Sequence, residues 1–215
     1  MDTGVNVMFD KRTIIVDDFY PQPLDVREMA LEADYESYNT PRNYPGVNSL
    51  QSFWNSDLQA MLSSITGCGV YATPTSSCGH FRYTCATDTS KQIIHFDPKP
   101  SQTWAGVVYL SLPQHYEGHD AGTRMYRHKR SGMTVAPIDH VQASGMGVRT
   151  QQDMVTFFET EGVDESLWQV ELQVPIRFNR LVLFRPWMWH GIAGYFGDDI
   201  INSRLTQLIF LNSYG

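Results

Sequence analysis

A chain of 215 residues, 42% hydrophobic and 18% charged, has the length and apolar content for one folded domain with a substantial core, which excludes a disordered or low-complexity protein. Sixteen basic residues against 23 acidic ones leave a formal charge of −7, which argues against a broad nucleic-acid surface while allowing a local basic pocket. Cys68, Cys78 and Cys85 lack C-x-x-C spacing, the start carries no basic-then-apolar leader, and no uncharged apolar run approaches the roughly 18 residues of a membrane span; the expectation is a reduced, soluble, cytoplasmic protein.

In chain order, "RTIIVDDF" (12–19) predicts a short opening strand. "LDVREMALEADYES" (24–37) sets Val26, Met29, Ala30 and Ala33 at helical spacing behind the turn-forming Pro21 and Pro23. A second helix is predicted over 55–67, with Asn55 or Ser56 as its cap and Gly67 as its stop. From about residue 77 the pattern changes. "CGHFRYTCA", "KQIIHF", "WAGVVYLSL", "GTRMYRH", "WQVELQVPI", "NRLVLFRP", "GIAGYFG" and "RLTQLIFLN" are short segments rich in β-branched and aromatic residues, most of them separated by turn residues. Only 151–162 interrupts with a helical pattern. The expected architecture is α+β: a single domain, with helical support over about 1–76 and a double-sheet jelly roll of cupin type, a double-stranded β-helix, over about 77–215.

Chemistry concentrates at three places. In "IIHFDPKP" (93–100), His95 and Asp97 are two apart on an extended segment, so they point to one side and can reach one ion; Pro98 ends the strand just beyond them. Iron(II) that must also bind a co-substrate and oxygen needs few protein ligands, and two histidines with one carboxylate meet that need. The third ligand is expected at His190 in "MWHGI", where an apolar strand has ended at Pro186. Fourteen residues later Arg204 is the sole charge in the last fifteen residues, and a lone arginine on an apolar strand calls for an anionic partner. The lesser alternatives are that His190 is a core histidine between tryptophans and that Arg204 is the partner of Asp198 or Asp199. His80, His115, His119, His128 and His140 compete as ligands, but none is followed by an arginine on an apolar strand.

His95-x-Asp97, a distal His190 and Arg204 in this order resemble the signature of the Fe(II)/2-oxoglutarate-dependent oxygenases. They look most like the small prolyl-4-hydroxylase-like branch and its uncharacterised bacterial and phage relatives, over roughly residues 77–212. The resemblance implies that His95, Asp97 and His190 hold Fe(II) and that Arg204 clamps the distal carboxylate of 2-oxoglutarate. Thr206 matches the hydroxyl of the family's R-x-S/T pattern, and Tyr83 and Gln92 would be outer-shell or co-substrate contacts. It further implies that O2 and 2-oxoglutarate are consumed, with release of succinate and carbon dioxide, as an unactivated C–H bond is hydroxylated. Halogenating members carry a small residue in place of Asp97, so this carboxylate implies hydroxylation, or another outcome of the same oxidising step, rather than halogenation.

The substrate implied first is an amino acid, free or within a peptide. A nucleobase or nucleotide is the alternative within the same chemistry, and a non-catalytic cupin-type metal- or ligand-binding protein is the alternative outside it. The basic run "RMYRHKR" (124–130), within the Gly-rich polar stretch 112–150, is read either as a mouth contact for an anionic substrate or as a solvated edge. Trp104, Trp187 and Trp189 are read as pocket walls or as packing. The oligomeric state is left open.

Overall fold

The computed structural model describes residues 5–6, 12–36, 45–73, 77–88, 93–97 and 103–214; Gln92 and Pro98 lie outside them. In chain order the elements are β1 (Val5–Asn6), β2 (Thr13–Val16), α1 (Pro23–Glu32), β3 (Val47–Asn48), α2 (Ser56–Thr66), β4 (Val70–Ala72), β5 (Phe81–Thr84), β6 (Trp104–Tyr109), α3 (Pro113–Tyr116), β7 (Gly122–His128), α4 (His140–Gly145), α5 (Gln151–Thr160), β8 (Trp168–Pro175), β9 (Leu181–Phe184), β10 (His190–Ile192) and β11 (Arg204–Ser213).

Two antiparallel sheets result. The large one runs β1-β2-β9-β6-β11-β5-β3, with β4 also pairing β11; the small one runs β10-β7-β8, and a bridge between His95 and His190 adds a fourth position to it. From β5 onward the chain visits the large sheet, the small sheet at His95, the large sheet at β6, and the small sheet twice at β7 and β8. It then returns to the large sheet at β9, the small at β10 and the large at β11. Eight positions dealt in this way between two facing sheets are a double-stranded β-helix, so the fold is the α+β jelly roll that the strand pattern predicts.

Side-chain alternation sorts the layers. On the outer face of the large sheet, Phe81, Leu181, Leu183, Leu205 and Ile209 pack with Ala30 of α1 and with Leu58 and Leu62 of α2. Between the sheets lie Ala105, Tyr109, Met125, Val174, Val182 and Phe184. A third cluster, including Ile94, Tyr126, Phe157, Trp168 and Trp189, joins α5 to the small sheet.

The helices begin and end for local reasons. The Asn55 side chain accepts from the Leu58 amide, and Gly67 closes α2 at φ 72°. Thr150 and Asp153 form a reciprocal capping box on α5. The first helix stops at Glu32, short of the predicted 37, because Ala33 turns extended, Tyr35 bridges Ser49 and the Glu36 amide donates to the Asn48 carbonyl. Sheet pairing with a distant segment overrides local helical spacing there. Arg27 of α1 is buried and donates to the carbonyls of Leu110 (2.8 Å) and Ile201 (2.6 Å), pinning the helix to the sheet connections.

The stretch 112–150 is no continuous loop, since β7 is the middle strand of the small sheet. "GIAGYFG" is strand only as far as Ile192. All three cysteines are free, and no helix among the described residues is long and apolar enough to cross a membrane.

Candidate metal centre and anion pocket

His95 and His190 are each other's backbone partners: the His95 amide donates to the His190 carbonyl at 3.0 Å, and the His190 amide to the His95 carbonyl at 2.8 Å. A pair hydrogen-bonded in this way projects both side chains to one face, and the two rings stand with centroids 4.4 Å apart. Asp97, two residues beyond His95, shares that side, and its amide is tied to the Pro186 carbonyl at 2.8 Å. Its carboxylate oxygens come to 4.0 Å from His95 Nε2 and 3.9 Å from His190 Nε2. One atom from each of the three side chains lies within 4.8 Å of the others.

The ring tautomers are set for ligation. His95 Nδ1 donates to the Ile93 carbonyl and His190 Nδ1 to the Met188 carbonyl, both at 2.8 Å, which leaves each Nε2 lone pair facing the cluster. Burial, helped by the neighbouring His95 and opposed by Asp97, lowers the His190 pKa to about 4, so this imidazole is neutral at ordinary pH. Asp97 Oδ2 is buried with no hydrogen-bond partner among the described residues. A buried, orphaned carboxylate oxygen between two imidazole lone pairs fits a divalent cation.

The three ligands line a cavity of about 110 Å³ that also takes in Arg82, Thr123, Val107, Phe184, Leu208 and Arg204. Arg204 is 3% exposed and its Cζ lies 5.4 Å from the Tyr109 ring centroid, while its Nε meets no acceptor among the described residues. Burial lowers its pKa, with Tyr109 the main counterweight. Asp198 and Asp199 are not its partners. Their carboxylates bind around Asn202, where Asp199 Oδ1 accepts from the Ile201 and Asn202 amides and Asp198 Oδ1 from Asn202 Nδ2.

Other expected contacts fall differently. Thr206 is buried on the same face of β11 as Arg204, but its hydroxyl donates to the Arg82 carbonyl at 3.3 Å. Tyr83 is not brought to the cavity: it faces the helices and packs edge-on against Tyr35, ring centroids 5.0 Å apart. Its neighbour Arg82 takes the inner position, and the alternation Phe81–Arg82–Tyr83–Thr84 carried that signal, because the two aromatics mark the core-facing side. Trp104 and Trp189 are packed in hydrophobic clusters, Trp187 is 42% exposed, and none lines this cavity.

The basic run does not form a positive mouth. Arg124 pairs with Asp120, Arg127 with Glu171 at 2.7 Å and Arg130 with Glu161 at 2.6 Å, and Lys129 donates to the Ser166 carbonyl. Of the rival histidines, His128 is buried between Glu161 and Ser131, and His80 binds the Ser49 carbonyl. Among the described residues, His95, Asp97 and His190 are the group whose ligand atoms converge.

Fold and site together define a jelly-roll protein with a two-histidine, one-carboxylate centre beside a buried arginine. Over residues 5–211 the chain matches the model of a family of unknown function (DUF6445), and it belongs to that family. No curated protein matches it. Among solved structures, one described as the crystal structure of the non-heme alpha ketoglutarate dependent epimerase SnoN from nogalamycin biosynthesis is similar at TM-score 0.49 and 11% identity, covering 94% of this chain and 78% of that one.

Proposed function

We propose that the protein is an Fe(II)- and 2-oxoglutarate-dependent oxygenase that hydroxylates an unactivated C–H bond of an amino acid, free or within a peptide. The observation that carries this reading is one cavity holding both a preset His95–Asp97–His190 cluster and a buried Arg204 with no carboxylate partner among the described residues. A protein that only bound a metal would have no use for that guanidinium. His95, Asp97 and His190 would hold the iron, which when bound supplies oxygen activation coupled to oxidative decarboxylation of 2-oxoglutarate.

The chain's own residues do the rest. The two Nδ1–carbonyl hydrogen bonds hold the rings in the ligating tautomer and orientation. Arg204 receives the distal carboxylate of 2-oxoglutarate by a charge-assisted, two-pronged hydrogen bond, which fixes the 2-oxo acid end toward the cluster. Val107, Phe184, Leu208 and Phe210 give apolar walls that keep water away from the reacting atoms. Asp97 fills the position that a halide would need, which favours hydroxylation. Arg124, Arg127 and Arg130 are paired with acids, which supports an amino-acid substrate over the nucleotide that a basic run would permit.

An anaerobic titration of the metal-free protein with Fe(II) and then 2-oxoglutarate tests the reading. The expected result is a weak visible charge-transfer band from the chelate, absent in His95→Ala and Asp97→Ala. No band in the wild type, or an unchanged band in those variants, would overturn the iron assignment.

A further inference from the structure

Helix α5 has no part in the chemistry proposed above. It is the helical stretch that interrupts the strands in sequence, and the chain just past its end lies directly against the segment that carries His95 and Asp97. Alternation divides that segment in two. His95 and Asp97 face the cluster, whereas Ile94 and Phe96 face the other way, into the aromatic layer that α5 supplies with Phe157 and Phe158. The Phe96 ring centroid lies 5.5 Å from that of Phe158 and 5.0 Å from that of Trp189.

The backbone of the segment is held on both edges. One edge pairs His95 with His190; on the other, the Ile94 amide donates to the Gly162 carbonyl at 2.7 Å. The fit leaves no room for a side chain at 162, since a Cβ there would lie 3.0 Å from the Ile94 carbonyl oxygen and 2.6 Å from that of Phe158. A displacement of Gly162 is therefore passed to the residue next to His95.

Glu161 sets where Gly162 stands. Its carboxylate is divided between two partners from β7 and the turn after it: Oε2 accepts from His128 Nε2 at 2.8 Å and Oε1 from Arg130 at 2.6 Å. Its carbonyl accepts from Trp168 Nε1 at 2.8 Å, at the start of β8. The His128 ring is buried against Phe157 and Trp168, and its Nδ1 faces the Ser131 hydroxyl at 2.9 Å. A carboxylate shared between two donors, one of them buried, is fixed more firmly than an exposed ion pair. The same strand sets the other imidazole, because Met125 of β7 pairs with His190. Strand β7 thus reaches both histidines, His190 by direct pairing and His95 by way of Glu161 and Gly162.

We propose that Glu161 is a positioning residue for the metal centre. Through His128, Arg130 and Trp168 it fixes the end of α5 to the small sheet, and through Gly162 and Ile94 it holds the His95 imidazole at the spacing from His190 that one ion requires. This rests on the reading of His95, Asp97 and His190 as metal ligands.

The test is titration with Co(II) without oxygen, followed by proton NMR of the loaded protein, in which each ligand histidine gives a shifted, exchangeable Nδ1 proton signal. The signals of His95 and His190 are told apart by their neighbours Ile93 and Met188. Glu161→Ala is expected to weaken Co(II) binding by about threefold to tenfold, no more than the lower end for a residue that bonds a metal ligand directly. It should move the His95 signal and leave that of His190 in place, and in the metal-free protein the Ile94 amide should exchange faster. Glu161→Gln, which keeps an acceptor for His128, should recover most of the affinity. Leu62→Ala, in the core of α2 on the far side of the large sheet, is the control for general loss of stability and should move neither signal. If Glu161→Ala does not fold, Gly162→Ala carries the test with the same expected pattern. Equal movement of both histidine signals, or a loss of Co(II) affinity no greater than in Leu62→Ala, overturns the proposal and leaves the metal reading standing. Failure of the wild type to bind Co(II) removes that reading and the role of Glu161 together.

Discussion

The two faces of the large sheet treat buried arginine in opposite ways. On the helix side, Arg27 is 4% exposed and both ends of its guanidinium are answered by backbone carbonyls of Leu110 and Ile201. On the inner side, Arg204 is 3% exposed, yet its Nε is unanswered, as are Thr84 Oγ1 and Asp97 Oδ2 nearby. The outer face is finished by the chain itself, with aliphatic packing closed around one satisfied cation. The inner face is left with polar atoms that nothing among the described residues satisfies. Desolvating a polar group without a partner is unfavourable, so such groups mark where stability has been given up for binding.

The contrast can be broken by changing each side. Arg27→Ala should be the most damaging, because it opens a void and orphans the buried Leu110 carbonyl and the part-buried Ile201 carbonyl; a loss of about 4 kcal/mol is expected at about 1–3 kcal/mol per orphaned group plus packing. Denaturant unfolding checks this, and a loss below about 1 kcal/mol would mean that the two hydrogen bonds do little.

Next in size is a pH effect on the inner face. The folded His190 pKa of about 4 lies below its ordinary value of 6.5, so between those values the unfolded chain binds a proton that the folded one does not. Stability of the metal-free protein is therefore highest above pH 6.5 and falls as pH drops toward 4, by up to about 3 kcal/mol from this group. Unfolding free energies of wild type and His190→Gln across that range should diverge; parallel curves would remove His190 as their source.

The smallest effect has the opposite sign. Arg204→Met in the ligand-free protein should raise stability by about 1 kcal/mol, because it replaces a desolvated and incompletely bonded cation with an apolar side chain of similar reach. Thermal melting tests it. A fall in melting temperature comparable with that of Arg27→Ala would make the two faces alike.

The sequence revealed much of the site because its chemistry is carried by residue types at strand ends. A histidine and aspartate two apart, a later histidine after an apolar strand and a lone arginine on another strand are visible without knowing how the sheets fold. What could not be read is which distant residues meet. The cations of 124–130 look like a basic surface until Glu161, Glu165 and Glu171 arrive from 31 or more residues away. The end of α1 was set by Tyr35 pairing with Ser49, against good local helical spacing. The face of Tyr83 is a different matter: in a strand one step in phase exchanges the faces, and Tyr83 lies on the side that packs against the helices.

The mutual backbone pairing of His95 and His190 has a consequence for motion. These two amides are the stitch that joins the His95 segment to the small sheet, and the side chains above them are the two nitrogen ligands. An ion held by both rings would therefore also lock the stitch, since opening the pair would require releasing the ion. Hydrogen exchange at these two amides should slow on metal loading more than exchange elsewhere in the barrel, so that the grip on such an ion would be recorded in the lifetime of two ordinary peptide protons.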